Sequence, residues 1–459
     1  MQYIVPAFER MTRLPFGQQF IAIFPELKLQ TNFVKRRTAK TVVIVAAANI
    51  RKRVVYFYHT EILIFAKGRK IGSFTDFPSF FYSYIWLKLK PMKKFLLLTV
   101  SIVLFLGAFS QDFFNTDFNK HKKYIILTNP TVANLKTVQF LVNAKLLDVN
   151  TRKMKFVGVY FAGQAYDFTQ TKKYLEENKI GNFYLHEIKG ELTDENLFGE
   201  NDCTPQLKQV FENSAGVFFF GGPDIQPEIY DEENSLSVVT DPGRHQFETT
   251  FLFHLLGSYR NEDYKPLLEK NKNYVVTGFC LGMQTMNVAT GGTLIQDIPA
   301  EIYEAETPEK TLEIGRANLH RNYWQEISKD SLLMGINLHT IQFTDHPFFG
   351  KAVEVSKSFN PRVLSSHHQA AEKIGKNLEV IAVSADGKIV EGLAHKKYPN
   401  VFAVQFHPEV QALYEDREKL KFHPDDQPMT FNDIIGKKSV RFHEKYWGYI
   451  SYVLRKSKN

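Results

Sequence analysis

The sequence predicts an α/β fold with a mostly parallel central sheet, and three observations carry that prediction. From Lys122 onward, short β-branched or aromatic runs alternate with helical patterns, as consecutive βα units require. Apolar residues make up 44% and charged residues 23% of the 459-residue chain, ordinary globular usage that excludes collagen-like and disordered classes. Two of the apolar runs end in glycine-flanked turns, Phe220-Gly221-Gly222-Pro223 and Gly278-Phe279-Cys280-Leu281-Gly282, where a backbone can turn tightly beside a ligand.

The elements follow in order. Strands are expected at Tyr124–Leu127, Phe156–Phe161, Phe183–Ile188, Gly216–Phe220 and Tyr274–Gly278. Between them, 3.6-residue patterning predicts helices at Ala133–Leu147, Thr169–Asn178, Pro205–Asn213 and Gln246–Leu256. Patterning is mixed over Glu301–Phe359, a candidate lid or pocket wall. Strands return at Leu378–Ser384, Lys388–Leu393 and Phe402–Gln405. No internal repeat interrupts this order, so residues 111–459 read as one domain.

Charge is distributed unevenly along the chain. The total is +8, yet residues 1–91 hold 15 basic and 4 acidic residues, and everything from Phe95 onward sums to −5. A basic patch is the footprint of nucleic-acid binding, and the folded part has no such excess, so no nucleic-acid partner is expected. At Met92 the chain reads Met-Lys-Lys, then fifteen uncharged residues from Phe95 to Phe109, then Ser110-Gln111-Asp112. That is the layout of a secretory signal, too short for a membrane span of about 20 residues. The expectation is a signal peptide at 92–110 cleaved after Ser110, secreted or periplasmic localisation, and no stable membrane insertion after cleavage. Residues 1–91 then read as a non-native extension upstream of a true start at Met92.

The chemistry concentrates in three segments. Tyr274–Gln284 is an apolar strand running into Gly-x-Cys-x-Gly and a helical pattern. A nucleophile on a strand-to-helix elbow needs small residues two positions to either side, and Gly278 and Gly282 supply them. The helix start beyond Cys280 directs N–H groups and a positive dipole end at the sulfur, which favours thiolate. Leu281 N–H is therefore a candidate oxyanion donor, with Gly222 N–H as the second. Downstream, Val401–Gln405 leads into Phe406-His407-Pro408-Glu409. Residues i and i+2 of an extended segment share a side, so Glu409 is placed to orient His407 as general base and acid. A buried cysteine, a structural histidine and a plain βα turn are the ordinary alternatives for each segment taken alone.

Together these residues resemble the class I glutamine amidotransferase-like superfamily. Within it they resemble the gamma-glutamyl hydrolases, and especially the bacterial gamma-glutamyl-gamma-aminobutyrate hydrolase type. The likeness rests on Gly278–Gln284, Asn287–Ile298, Ser366-His367-His368-Gln369, Gln405–Glu409 and Asp241-Pro242-Gly243-Arg244. It implies a flavodoxin-like three-layer sandwich and a Cys280-His407-Glu409 triad. It also implies substrate contacts from Gln284 and His368, while Arg244 is a candidate carboxylate clamp because guanidinium binds carboxylate bidentately. Helix capping, turn hydrogen bonding and a surface salt bridge are the structural alternatives for those three.

The expected activity is cleavage of gamma-glutamyl amide or isopeptide bonds through a thioester. The expected partner is a small gamma-glutamyl substrate, with a homodimer as a candidate assembly. A glutaminase subunit feeding ammonia to a synthase, and a non-catalytic exported binding protein, are the rival readings. No cofactor and no metal are expected, since His320, His339 and His346 have no shared ligand spacing. With two cysteines in the chain, pairing Cys203 to Cys280 would remove the nucleophile, so Cys203 reads as a bystander thiol.

Overall fold

The computed structural model describes residues 112–457, together with the backbone of three strands nearer the N-terminus. The chain divides into two compact units, residues 1–108 and 109–459. In the first, strands β1 (Arg53–Phe57), β2 (Ile62–Ala66) and β3 (Arg69–Phe74) form an antiparallel meander. The expected signal peptide at 92–110 lies outside the described residues, as does most of the proposed upstream extension.

The second unit is built on a ten-stranded sheet. Six strands run parallel: β4 (Lys123–Thr128), β5 (Met154–Phe161), β6 (Phe183–Ile188), β7 (Gly216–Phe219), β8 (Val275–Phe279) and β15 (Val401–Val404). Their spatial order is β15-β8-β7-β4-β5-β6. Beyond β15 the sheet continues antiparallel through β14 (Val390–His395), β13 (Leu378–Ser384), β10 (Asn337–Phe343) and β11 (Arg362–Ser365). A separate two-stranded ribbon pairs β9 (Leu294–Ile295) with β12 (Ala370–Ala371). The α/β class and parallel core are thus as the sequence predicts.

Strand alternation sorts the apolar side chains into two cores, one on each sheet face. Tyr124, Ile126, Val217, Phe219 and Val276 point into one. There they meet helices α3 (Thr204–Glu212), α4 (Pro242–Leu256) and α5 (Leu281–Ala289) through Leu207, Phe247, Phe251 and Met286. Ile125, Leu127, Phe218, Val275 and Phe402 point into the other. They pack on α1 (Val132–Asn143) and the C-terminal α7 (Lys437–Lys456) through Leu135, Val138, Trp447 and Leu454. A further helix, α2 (Thr169–Glu177), bridges β5 and β6, and α6 (Ile298–Tyr303) follows β9. These layers form the three-layer sandwich.

Several boundaries differ from the sequence expectation, the first helix ending at Asn143 and not Leu147, and three of the differences have local reasons. Helix α4 begins at Pro242, four residues early, because the Asp241 side chain accepts from Arg244 N–H and proline suits the first turn. Strand β14 begins at Val390 because Asp386-Gly387-Lys388 turns with Gly387 at φ +77°. The 301–359 segment contributes β10 to the sheet, so it extends the scaffold besides forming surface.

Candidate active site

Because β7, β8 and β15 are parallel neighbours, their carboxyl ends emerge on one edge of the sheet, where ligands of open α/β folds bind. The register pairs Phe279 with Val404 and Phe219 with Gly278. Cys280, Gly221 and His407 therefore leave their strands side by side. Cys280 N–H donates to Val404 C=O at 2.9 Å, fixing the elbow to β15.

Cys280 has φ 52° and ψ −108°, outside the regions a non-glycine residue ordinarily occupies. The turn is as crowded as its glycines suggested. A Cβ on Gly278 would sit 2.6 Å from the Gly282 carbonyl carbon, and one on Gly282 would sit 2.3 Å from the Phe219 carbonyl oxygen. Helix α5 starts at Leu281, so its first N–H groups have no intrahelical acceptor. The helix thus begins directly after the cysteine.

The imidazole of His407 shares a hydrogen bond between Nδ1 and Glu409 Oε1 at 2.7 Å. Burial opposes a charged ring, but the charges of Glu409 and Cys280 and hydrogen bonds to both hold His407 well above its ordinary pKa of 6.5. Pro408 is clamped from beneath: Trp447 Nε1 donates to its carbonyl at 3.0 Å and Tyr414 Oη at 2.5 Å. The structure thus brings Cys280, His407 and Glu409 together, with Gly221 against them. A Cβ on Gly221 would lie 2.8 Å from His407 Cε1 and 3.6 Å from Cys280 Cβ. Gly222, the residue singled out from sequence, lies against the Leu281 side chain and Arg244.

The expected substrate-binding residues are placed differently from one another. Arg244 is buried, its Nε donating to Glu248 Oε1 at 3.1 Å and its Nη2 to the Phe220 carbonyl at 2.8 Å and the Gly221 carbonyl at 3.2 Å. Its guanidinium thus braces the glycine loop from behind. Gln284 is buried too, its Nε2 donating to Gln369 C=O at 3.1 Å and Gln405 Oε1 at 3.3 Å, which ties α5 to the His-His-Gln loop. His368 is held between two carboxylates, Nδ1 to Asp297 Oδ2 at 3.0 Å and Nε2 to Asp224 Oδ2 at 2.9 Å. Burial alone lowers its pKa, but the hydrogen bonds to Asp224 and Asp297 and the Asp224 charge raise it to about 9. Cys203 is buried and unbonded to Cys280, with burial pushing its thiol up to about 12.

Sequence reasoning does not single out Asp224 or Asp297, and it takes Gly221 only as part of the glycine turn. Asp224 directly follows Gly221-Gly222-Pro223 and Asp297 caps α6 through Ala300 N–H, so a strand-end acid and a helix N-cap were the available signals.

A parallel sheet carrying a cysteine elbow beside a histidine and a glutamate defines a class I glutamine amidotransferase-like protein. Comparison with known proteins agrees. The sequence profile of the Peptidase C26 family matches residues 197–409, a span that ends on Glu409. The curated protein named "Putative glutamine amidotransferase-like protein YvdE" of Lactococcus lactis is 30% identical over 212 residues, 45% of this chain and 71% of that one. The "Putative glutamine amidotransferase-like protein RP404" of Rickettsia prowazekii is 30% identical over 232 residues, 44% of this chain and 73% of that one. A solved structure described as a putative GMP synthase component from Thermoplasma acidophilum covers 65% of this chain and 95% of its own, at 12% identity and a TM-score of 0.29. The chain belongs to the glutamine amidotransferase-like family of these relatives, and its residues 197–409 match the Peptidase C26 profile.

Proposed function

We propose that the protein is an exported cysteine hydrolase that cleaves gamma-glutamyl amide or isopeptide bonds, with Cys280, His407 and Glu409 as its catalytic triad. The observation that carries this reading is the strained Cys280 at a helix start, beside a histidine that is itself held by Glu409 at 2.7 Å. Export rests on the signal-like segment at Met92–Ser110. Among the described residues no helix is long and apolar enough to cross a membrane.

In the reaction, the Cys280 thiolate bonds to the gamma-carbonyl carbon and the carbonyl electrons move to oxygen. Backbone N–H groups of Leu281 and the Gly221-Gly222 loop receive that oxyanion. As the intermediate collapses, the C–N bond breaks and the leaving nitrogen takes the proton from His407. The resulting thioester is attacked by water, whose proton passes to the now neutral His407. Glutamate departs and Cys280 leaves as thiolate, restoring the starting ion pair. Glu409 keeps the ring oriented and stabilises its charged form throughout.

The test is a panel of gamma-glutamyl peptides, gamma-glutamyl-gamma-aminobutyrate, folyl-polyglutamate and free glutamine, compared by kcat/KM. Turnover of at least one gamma-glutamyl amide is expected, lost in Cys280→Ala by about 10⁴-fold or more. Undiminished hydrolysis by that variant refutes the assignment. Ammonia release from glutamine alone would favour the ammonia-donor reading.

A further inference from the structure

Outside the cysteine site, the fold gathers four residues from four separate segments. His320 comes from the loop ahead of β10, His339 from β10 itself, His367 from the loop after β11, and Glu391 from β14. All four are buried, and one ligand-type atom from each lies within 4.8 Å of the others. None takes part in the reaction described above.

The arrangement leaves a buried charge short of donors, with His320 Nδ1 at 3.0 Å the nearest group able to donate to it. Glu391 is 0% exposed, and neither of its carboxylate oxygens accepts a hydrogen bond of acceptable geometry. Three ring nitrogens surround its Oε1: His320 Nδ1 at 3.0 Å, His339 Nε2 at 3.5 Å and His367 Nε2 at 3.7 Å. Two of those nitrogens face it as lone pairs when the rings are neutral. His339 Nδ1 sits 3.2 Å from Thr340 C=O and His367 Nδ1 sits 2.8 Å from Gln369 C=O. A carbonyl oxygen only accepts, so Nδ1 carries the hydrogen in both rings and Nε2 is left bare. Acceptors then point at an acceptor in a dry interior, an arrangement that is strongly unfavourable unless a cation lies between them.

We propose that His320, His339, His367 and Glu391 hold a divalent transition-metal ion of the zinc type. Ligand atoms of a tetrahedral site with bonds of about 2.0–2.1 Å lie about 3.3 Å apart, and the three separations from Glu391 Oε1 straddle that edge. An imidazole-rich set with one carboxylate suits zinc and its neighbours over magnesium or calcium. The backbone carbonyls on His339 and His367 fix the tautomer that ligation needs, as second partners of metal-bound histidines do. Four protein ligands leave no open position, so the ion is structural and takes no part in turnover. It staples the loop at His320 to β10, to β14 and to the loop after β11. Because Glu391 C=O accepts from Gln405 N–H at 3.0 Å, it also steadies the strand that delivers His407.

The experiment uses the full chain, stripped with chelator and titrated with Zn²⁺ and separately with Co²⁺. The expected result is one ion per chain, visible tetrahedral d–d bands with cobalt, and a Tm that rises with added zinc. Glu391→Gln, which keeps shape and removes charge, should weaken binding about 10–100-fold or more, and His339→Ala should do the same. Cys280→Ala should bind as the wild type does, separating this site from the thiol. Absence of stoichiometric binding, unaltered affinity in Glu391→Gln, or loss of binding in Cys280→Ala would each overturn the proposal.

Discussion

Cys280 occupies a backbone conformation that costs about 1–3 kcal/mol, held because the surrounding turn allows no other. Gly282 cannot carry a side chain against the Phe219 carbonyl, nor Gly278 against Gly282, so the elbow is determined by its neighbours on β7 and α5. The sulfur consequently sits over a helix start with His407 in reach. Glu409 supplies the leading charge that lifts the His407 pKa above 6.5 against burial. The charged ring is thus fully present below pH 6.5 and lost only as pH rises through the elevated folded value, which sets the basic limb of the pH profile. Replacing Glu409 with Gln is expected to lower kcat by about 10²–10⁴-fold and to move that basic limb to lower pH. A kcat/KM profile measured across pH in both proteins checks this, and coincident basic limbs would count against Glu409 as the orienting group.

At the scale of elements, His368 joins the loop after β7 to the start of α6, bridging Asp224 and Asp297. Its pKa is raised from 6.5 to about 9 by the two carboxylates, which outweigh burial. A raised histidine stabilises the fold fully below pH 6.5, and that contribution fades as pH climbs toward 9. His368→Ala should therefore be less stable than wild type by about 2–3 kcal/mol near pH 6, with the gap closing by pH 9 to 10. Urea denaturation at a series of pH values measures it, and a gap constant with pH would contradict the bridge. The βα units were legible in the sequence because most of the strands are short apolar runs separated by helical patterns. The elbow was legible because Gly-x-Cys-x-Gly has a geometric reason. What was not legible depends on contacts between distant segments. Nothing in the chain shows that Arg244, a candidate carboxylate clamp, also donates to the Phe220 and Gly221 carbonyls and to Glu248. His320, His339, His367 and Glu391 looked unrelated because no local spacing unites them, and β10 was hidden in a segment of mixed patterning.

For the whole molecule, the C-terminal helix α7 closes the second core and braces the site through Trp447, whose Nε1 donates to the Pro408 carbonyl and whose ring lies beside Phe279. Trp447 is fully buried, so Trp447→Ala should cost about 3–5 kcal/mol of stability, read as a lowered denaturation midpoint. Trp447→Phe should keep most of that packing. At the other end of the chain, sequencing the natural protein should find Gln111 at its N-terminus, and peptides from residues 1–91 would defeat the reading of that stretch as upstream sequence. The central claim is that one sulfur becomes acylated. Rapid quench of the enzyme with a gamma-glutamyl substrate, followed by peptide mass spectrometry, should find a glutamyl adduct on the Cys280 peptide during turnover. Efficient turnover with no adduct there, or an adduct on another residue, would contradict it.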